Sequence, residues 1–358
     1  MAYKIFVDGI MHLGDIMIAA SVFPVLKKHH PDSEITFLTQ APLASAAELI
    51  DGIDHVIPYE YKSGGGVLGV WQMAQRLRRE HFDIGISVDP RERVTLMKWL
   101  AGIPIRVTVE EAIGWKLGWE RHFYTTDVSL DGWDYFGHRR SESFQEAMKR
   151  YFHDEDKTFC PPQLKPSAEK DFATVDKIIG SVSRKENEPV IALCIQTTGD
   201  NRLKEWRAER YSALCDRIAD EYGATFVMTG IEAHRERADE IINGTHCKDK
   251  FINVIGKTSL KELIALFRRV DALVTCDTGT AHIAGAAGCP VLTICTSAWP
   301  DVYRACGENC RVASARVPCT GRSNCRIMKT CQKNDCYDKL TVDMVMREFD
   351  AMMRNIKK

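Results

Sequence analysis

The chain has 358 residues, long for one hydrophobic core and comfortable for two, with 45% hydrophobic and 27% charged residues, the make-up of an ordinary soluble globular protein. A formal net charge of -1 gives no global attraction to polyanions, so nucleic acid is excluded as an expected partner. No apolar stretch approaches the roughly 20 residues of a spanning helix, and the start "MAYKIFVDGI" lacks a charged region followed by a long apolar one, so a cytoplasmic protein is expected.

In chain order, "KIFVD" (4–8) predicts a strand and "GDIMIAASVFPVLKKHHPD" a helix with Pro24 inside it. "EITFLT" (34–39) is the next strand, "APLASAAELI" a short helix and "HVIPY" (55–59) another strand. "VLGVWQMAQRLRREH" has the apolar period of an amphipathic helix, and "FDIGISVD" (82–89) reads as a buried strand. A helix closed by Gly102 and the strand "IRVTV" follow. Residues 153–170 carry three prolines and mixed charge, which predicts an interdomain linker. The alternation then restarts: strands at 189–195, "ATFVMTG", "KFINVIG", "DALVTCD" and, last, "PVLTIC" alternate with helices. One helix begins with Ser259 and Glu262 at capping-box spacing. The tail "TVDMVMREFDAMMRNIKK" is one more amphipathic helix. Strands alternating with helices imply parallel βαβ units, so the expected fold class is α/β, with two Rossmann-like parallel-sheet domains facing a cleft.

Three strand ends carry residues suited to an anion or a hydroxyl. In "CDTGTAHIAGAAG", Asp277, Thr278, Gly279, Thr280 and His282 stand where a strand gives way to a helix, and free N–H groups there favour a phosphate. An N-capped core helix accounts for the same residues about equally well. In "QTTGDNRLKEW", Thr197 and Thr198 offer hydroxyls, Lys204 a point charge, and Trp206 an anchor for the loop. Two such strand ends in one domain make a diphosphate site the better reading. In "MHLGDIMIA", Asp15 stands at a helix start, where an isolated Gly-Asp reads better as a helix cap; facing a diphosphate across a cleft, a carboxylate serves as general base toward a hydroxyl.

The segments "GDIMIAASVFPVLKKHHPDSEITFLT", "TTGDNRLKEW" and "DTGTAHIAGAAGCPVLTI", followed by the cysteine-bearing tail, resemble glycosyltransferase family 9, the ADP-heptose lipopolysaccharide heptosyltransferases, over essentially the whole chain. The resemblance implies the GT-B fold: an acceptor-side domain at 1–160, a nucleotide-sugar domain at 161–340, and a C-terminal helix at 341–358 returning to the first domain. It implies Asp15 as catalytic base, Thr197, Thr198 and Lys204 on phosphate, and Asp277, Thr278, Gly279 and His282 on the donor sugar and diphosphate. The reaction implied is inverting, with no cofactor required. One departure stands out: His234 occupies the place where the family has a ribose-binding Glu, with Glu232 two residues earlier. Either Glu232 takes over or the nucleotide is read differently, which keeps another nucleotide sugar, or a protein acceptor, in view. A non-catalytic saccharide-binding protein is the remaining alternative.

For a saccharide or glycolipid acceptor, "DPRERV" offers Arg91 and Arg93 and "HRRSE" offers His138, Arg139 and Arg140, though solvated charge at element ends explains each one singly as well. The tryptophans of "GWKLGWE" and "GWDYF" fit either a lip on the inner face of the membrane or plain loop packing. Thirteen cysteines, none before Cys160, include six from Cys306 to Cys336 without a C-x2-C pair. Cys319, Cys325, Cys331 and Cys336 are the candidate ligands of a structural zinc or iron, with reduced thiols packed in a loop as the close alternative.

Overall fold

The computed structural model describes residues 2–61, 66–109, 118–181, 185, 187–197, 204–296, 299–318, 331 and 334–356. It consists of two compact units, Met1–Lys165 and Pro166–Lys358, the division falling inside the proline-bearing stretch.

The first unit runs β1 (Lys4–Asp8), α1 (Leu13–Ala19), α2 (Val22–His29), β2 (Glu34–Gln40), α3 (Ala44–Ala47), β3 (His55–Tyr59), α4 (Gly66–Glu80), β4 (Ile84–Ser87), α5 (Glu92–Ala101), β5 (Ile105–Thr108), β6 (Thr126–Asp127) and α6 (Arg140–Tyr151). Its strands lie in the order β3-β2-β1-β4-β5-β6, all neighbours parallel. Leu77, Val94 and Met97 of α4 and α5 bury themselves with Phe6 and Leu38 of the sheet. The single helix expected at 14–32 is two, because Pro24 lacks an N–H and its ring disfavours a continuous turn through Ala20; it sits instead in the first turn of α2. Pro58 is tolerated in β3 because β3 is an edge strand. Gly102 closes α5 with φ of 78°, a left-handed conformation that only glycine adopts at little cost.

The second unit runs α7 (Glu169–Ile179), β7 (Val190–Cys194), α8 (Ala208–Tyr222), β8 (Thr225–Met228), α9 (Arg235–Asn243), β9 (Phe251–Asn253), α10 (Leu260–Phe267), β10 (Ala272–Cys276), α11 (Gly279–Ala286), β11 (Val291–Ile294), β12 (Cys310–Ala313), α12 (Asp335–Asp338) and α13 (Val342–Ile356). Its order, β12-β11-β10-β7-β8-β9, repeats the winding of the first unit, again all parallel. Two expectations are corrected here. "PVLTIC" is not the last strand, since Cys310–Ala313 adds β12 beside β11. The C-terminal helix packs on the second unit: Val345, Met346, Phe349, Met352 and Met353 join Ile191, Tyr211 and Phe226 in one buried core. Its apolar stripe marks α13 as a core helix, but the stripe alone does not say which sheet receives it. Among the described residues no helix is long and apolar enough to cross a membrane.

Candidate active site

In an open parallel sheet, ligands bind at the carboxyl ends of strands where the strand order reverses. That point lies between β1 and β4 in the first unit and between β7 and β10 in the second. All three segments singled out in the sequence leave from those strand ends.

In the first unit, the chain leaving β1 enters α1 with Asp15 as its third residue. Arg140, the first residue of α6, places Nη1 3.0 Å from Asp15 Oδ1. Neither end of this pair is fully buried, at 17% and 29% side-chain exposure, so it is held yet reachable. A polar chain, wholly buried at Asp8, Ser87 and Lys98, ties the two strand ends together. Lys98 of α5 pairs with Asp8 and bonds Ser87 Oγ. Ser87 Oγ donates to Asp8 Oδ2 at 3.0 Å, Tyr124 OH donates to Ser87 Oγ at 2.8 Å, and Thr95 Oγ1 is 2.7 Å from the same phenol. Burial pushes the Asp8 carboxyl up, against the pull of Lys98. A buried pair of this kind adds little net stability; its effect here is to fix the ends of β1 and β4 relative to α5.

The acceptor-side residues divide. Arg91 binds the buried Asp89 at 2.8 Å, and burial raises that carboxyl further than Arg91 lowers it. Arg93 donates to Tyr61 O at 3.0 Å and lies over the Tyr61 ring, which carries it toward the end of β3. His138 stacks on Trp133 with ring centroids 4.1 Å apart. Arg139 pairs with Glu142, whose carboxylate also accepts from the Arg139 backbone N–H at the start of α6, and it covers the Phe159 ring. Arg140, rather than Arg139, is therefore the arginine that meets Asp15. Trp133 donates to Ser143 Oγ at 2.9 Å and packs its loop on α6, whereas Trp119 is 52% exposed. Residues 114–117 of "GWKLGWE" lie outside the described residues.

In the second unit, Lys204 Nζ sits 2.7 Å from Asp277 Oδ2, joining the loop after β7 to the end of β10. Burial is the strongest single influence on the ammonium and opposes its charge, but the charge and hydrogen bond of Asp277 lead the opposing pulls, and the Lys204 pKa is raised overall. Thr278 is the N-cap of α11 with no side-chain cap bond. With Asp277 on Lys204 and Thr278 not capping, the helix start presents backbone donors rather than a side-chain cap. Burial raises the Cys194 thiol at the end of β7, and Thr280 is the first of the neighbours that pull it back. Thr197 Oγ1 and Gln196 Oε1 are buried with no partner among the described residues; Thr198 lies outside them. Trp206 is wholly buried and donates to Leu340 O at 3.0 Å, anchoring the loop as expected. His282 is 3% exposed with Nδ1 3.5 Å from Cys306 Sγ.

Of the two residues after β8, His234 rather than Glu232 belongs to this strand end. His234 is buried against Thr197 and near Glu205, and burial lowers its pKa. Glu232 is exposed and engaged by Arg235, which also reaches Ile255 O. Of the candidate metal ligands, Cys319 and Cys325 lie outside the described residues, while Cys331 and Cys336 are half-buried. Among the described residues no three His, Cys, Asp or Glu side chains gather as a metal-binding group.

Sequence reading missed the Asp15–Arg140 contact and the buried Asp8–Lys98 chain. The residues of the first lie 125 positions apart, and nothing local to α5 marks its lysine as buried.

The description "Glycosyltransferase family 9 (heptosyltransferase)" fits residues 70–331 of this chain. Lipopolysaccharide heptosyltransferase 2 of Escherichia coli K12 is 23% identical over 316 residues, covering 86% of this chain and 87% of that protein. Among solved structures, the family 9 glycosyl transferase of Veillonella parvula superposes with a TM-score of 0.81 at 20% identity, over 99% of this chain and 98% of that one. The E. coli ADP-heptose LPS heptosyltransferase II gives 0.73 at 19% identity, over 99% and 100%. Both structural likenesses span the two sheets, which are therefore those of the GT-B fold. With two strand-end sites of this geometry and a family match over most of its length, the chain belongs to glycosyltransferase family 9, the heptosyltransferase family, and is a glycosyltransferase.

Proposed function

We propose that the enzyme transfers heptose from ADP-heptose to a hydroxyl of a lipopolysaccharide inner-core acceptor, with inversion at the anomeric carbon. The observation that carries this reading is the matched placement of two ion pairs, Asp15–Arg140 and Lys204–Asp277, each at the strand-order reversal of its own unit. The E. coli relatives, one described as an ADP-heptose LPS heptosyltransferase, supply the sugar, the nucleotide and the acceptor class.

In this scheme Asp15 takes the proton of the acceptor hydroxyl as its oxygen attacks the anomeric carbon, and ADP departs with the electron pair. Arg140 holds the Asp15 carboxylate in place by its 3.0 Å contact. Lys204, the uncapped start of α11 and the Thr197 hydroxyl take up the charge that develops on the diphosphate, so the scheme uses no cofactor. Arg91 is the first-unit arginine proposed to meet an acidic group on the acceptor, trading Asp89 for it.

A second donor reading has its own support. His234 puts a buried neutral imidazole beside Thr197 where the family resemblance leads one to expect a carboxylate, which favours a nucleotide end read differently from ADP. The test is calorimetric titration with ADP, UDP, GDP, CDP and TDP, followed by transfer assays with the matching sugar nucleotides. Selective ADP binding and transfer from ADP-heptose, lost in Asp15→Asn, support the first reading. Selective binding of another nucleotide moves the donor to the second, and absence of any transfer refutes both.

A further inference from the structure

The cysteine-rich stretch enters the second unit's site through its first member. Cys306 is wholly buried, with Sγ 3.5 Å from Nδ1 of the buried His282 on α11. A crossing of two glycines brings it there. A Cβ on Gly285 of α11 would stand 2.8 Å from Gly307 N, and one on Gly307 would stand 2.7 Å from Gly285 O, so only two glycines allow this approach. Residue 310 then enters β12 beside β11. The segment 306–310 is therefore docked on the middle of the helix whose start carries Thr278 and Gly279.

The chemistry of the contact has one favoured arrangement. Burial resists separating the pair into thiolate and imidazolium. Between the neutral forms, a bare imidazole nitrogen accepts far better than a sulfur does, so the thiol donates and Nδ1 accepts. The ring proton is then on Nε2. We propose that Cys306 is a positioning residue of the donor site: its S–H donates to His282 Nδ1 and fixes the tautomer and orientation of this imidazole on the helix whose start presents backbone donors. This rests on the reading that the start of α11 holds the nucleotide diphosphate.

The experiment is a double-mutant cycle on the full chain under reducing conditions: unsubstituted protein, Cys306→Ala, His282→Ala and the pair, with ADP affinity by calorimetry. Cys306→Ala is expected to weaken ADP binding by roughly three- to tenfold, the effect of one lost buried hydrogen bond. The double variant is expected to bind no more weakly than His282→Ala alone. Cys306→Ser, which keeps an O–H donor, recovers part of the loss. Additive effects of the two substitutions, or unchanged affinity in Cys306→Ala, overturn the proposal while leaving the donor reading intact. Failure of the unsubstituted protein to bind ADP overturns both. Should Cys306→Ala not fold, the ¹⁵N spectrum of His282 in the unsubstituted protein decides: a protonated Nε2 and bare Nδ1 support the proposal, and the opposite tautomer refutes it.

Discussion

At the scale of single residues, the charges near the site are already paired within their own units. Asp15 is held by Arg140 and Lys204 by Asp277, so each group arrives in a fixed position rather than as a mobile side chain. Pre-positioning of this kind matters because a small misplacement of a reacting group is costly in rate. Arg140→Ala is expected to lower kcat by roughly 10- to 100-fold while leaving ADP affinity unchanged, since the donor residues are in the other unit. Arg140→Lys recovers part of the rate, keeping the charge but not the planar fork. Steady-state kinetics beside ADP titration separates these outcomes. His234 gives a second test. Its pKa is depressed by burial, so the folded state binds fewer protons than the unfolded chain. Its contribution is complete above the ordinary histidine value of about 6.5 and is lost as pH falls through the lower folded value. The melting temperature should therefore drop between neutral and mildly acidic pH, and His234→Gln should flatten that drop. An unchanged slope in the variant would refute the assignment.

At the scale of elements, α2 and the turn after α6 are clasped by charge. Lys28 bridges Asp154 and Asp156 at 2.8 and 3.1 Å, and His29 meets Asp154 at 2.9 Å while stacking on Phe152. Both carboxyls are held well below their usual range, Asp154 chiefly by Lys28 and Asp156 chiefly by the Thr158 backbone. The stabilisation is present above the ordinary aspartate value and disappears as pH falls through the depressed one. Asp154→Asn should lower the melting temperature slightly at neutral pH and less in acid, a convergence that thermal scans at two pH values detect. Elements were legible in the sequence wherever local chemistry decides them. Ser259 and Glu262 do form the capping box of α10, with bonds of 3.3 and 2.7 Å, and Ser259→Ala should cost about 1 kcal/mol in denaturant titration. Gly102 and Gly223 close their helices in the left-handed conformation. What local chemistry does not decide stayed hidden. The two residues of β6 are too few to show a period, and β12 is a strand only because β11 lies beside it. The strand-end motifs announced themselves through residue type, but Arg140 on Asp15 and Cys306 on His282 are products of tertiary packing between distant segments.

At the scale of the whole molecule, the same winding is built twice, each time around its own buried core. The second core is closed by the last helix of the chain. Phe349 is wholly buried there, edge-on to Tyr222 with ring centroids 5.3 Å apart, and Met352 is equally buried. Tyr222 in turn donates to Asp350 at 2.7 Å, and Arg311 of β12 binds Glu348 at 2.7 Å, so α13 is fixed to the sheet by both apolar and polar contacts. Replacing Phe349 by Ala removes a large buried ring and leaves a cavity, a loss of about 3–5 kcal/mol. Because that core contains no residue of the first unit, the loss should fall on the second unit alone. Differential scanning calorimetry of the unsubstituted protein should resolve two transitions, and ADP should raise only the one belonging to the second unit. In Phe349→Ala that same transition should move down and the other should stay in place. A single transition that shifts as a whole, in the variant or with ADP, would instead mean that the two cores unfold as one cooperative body.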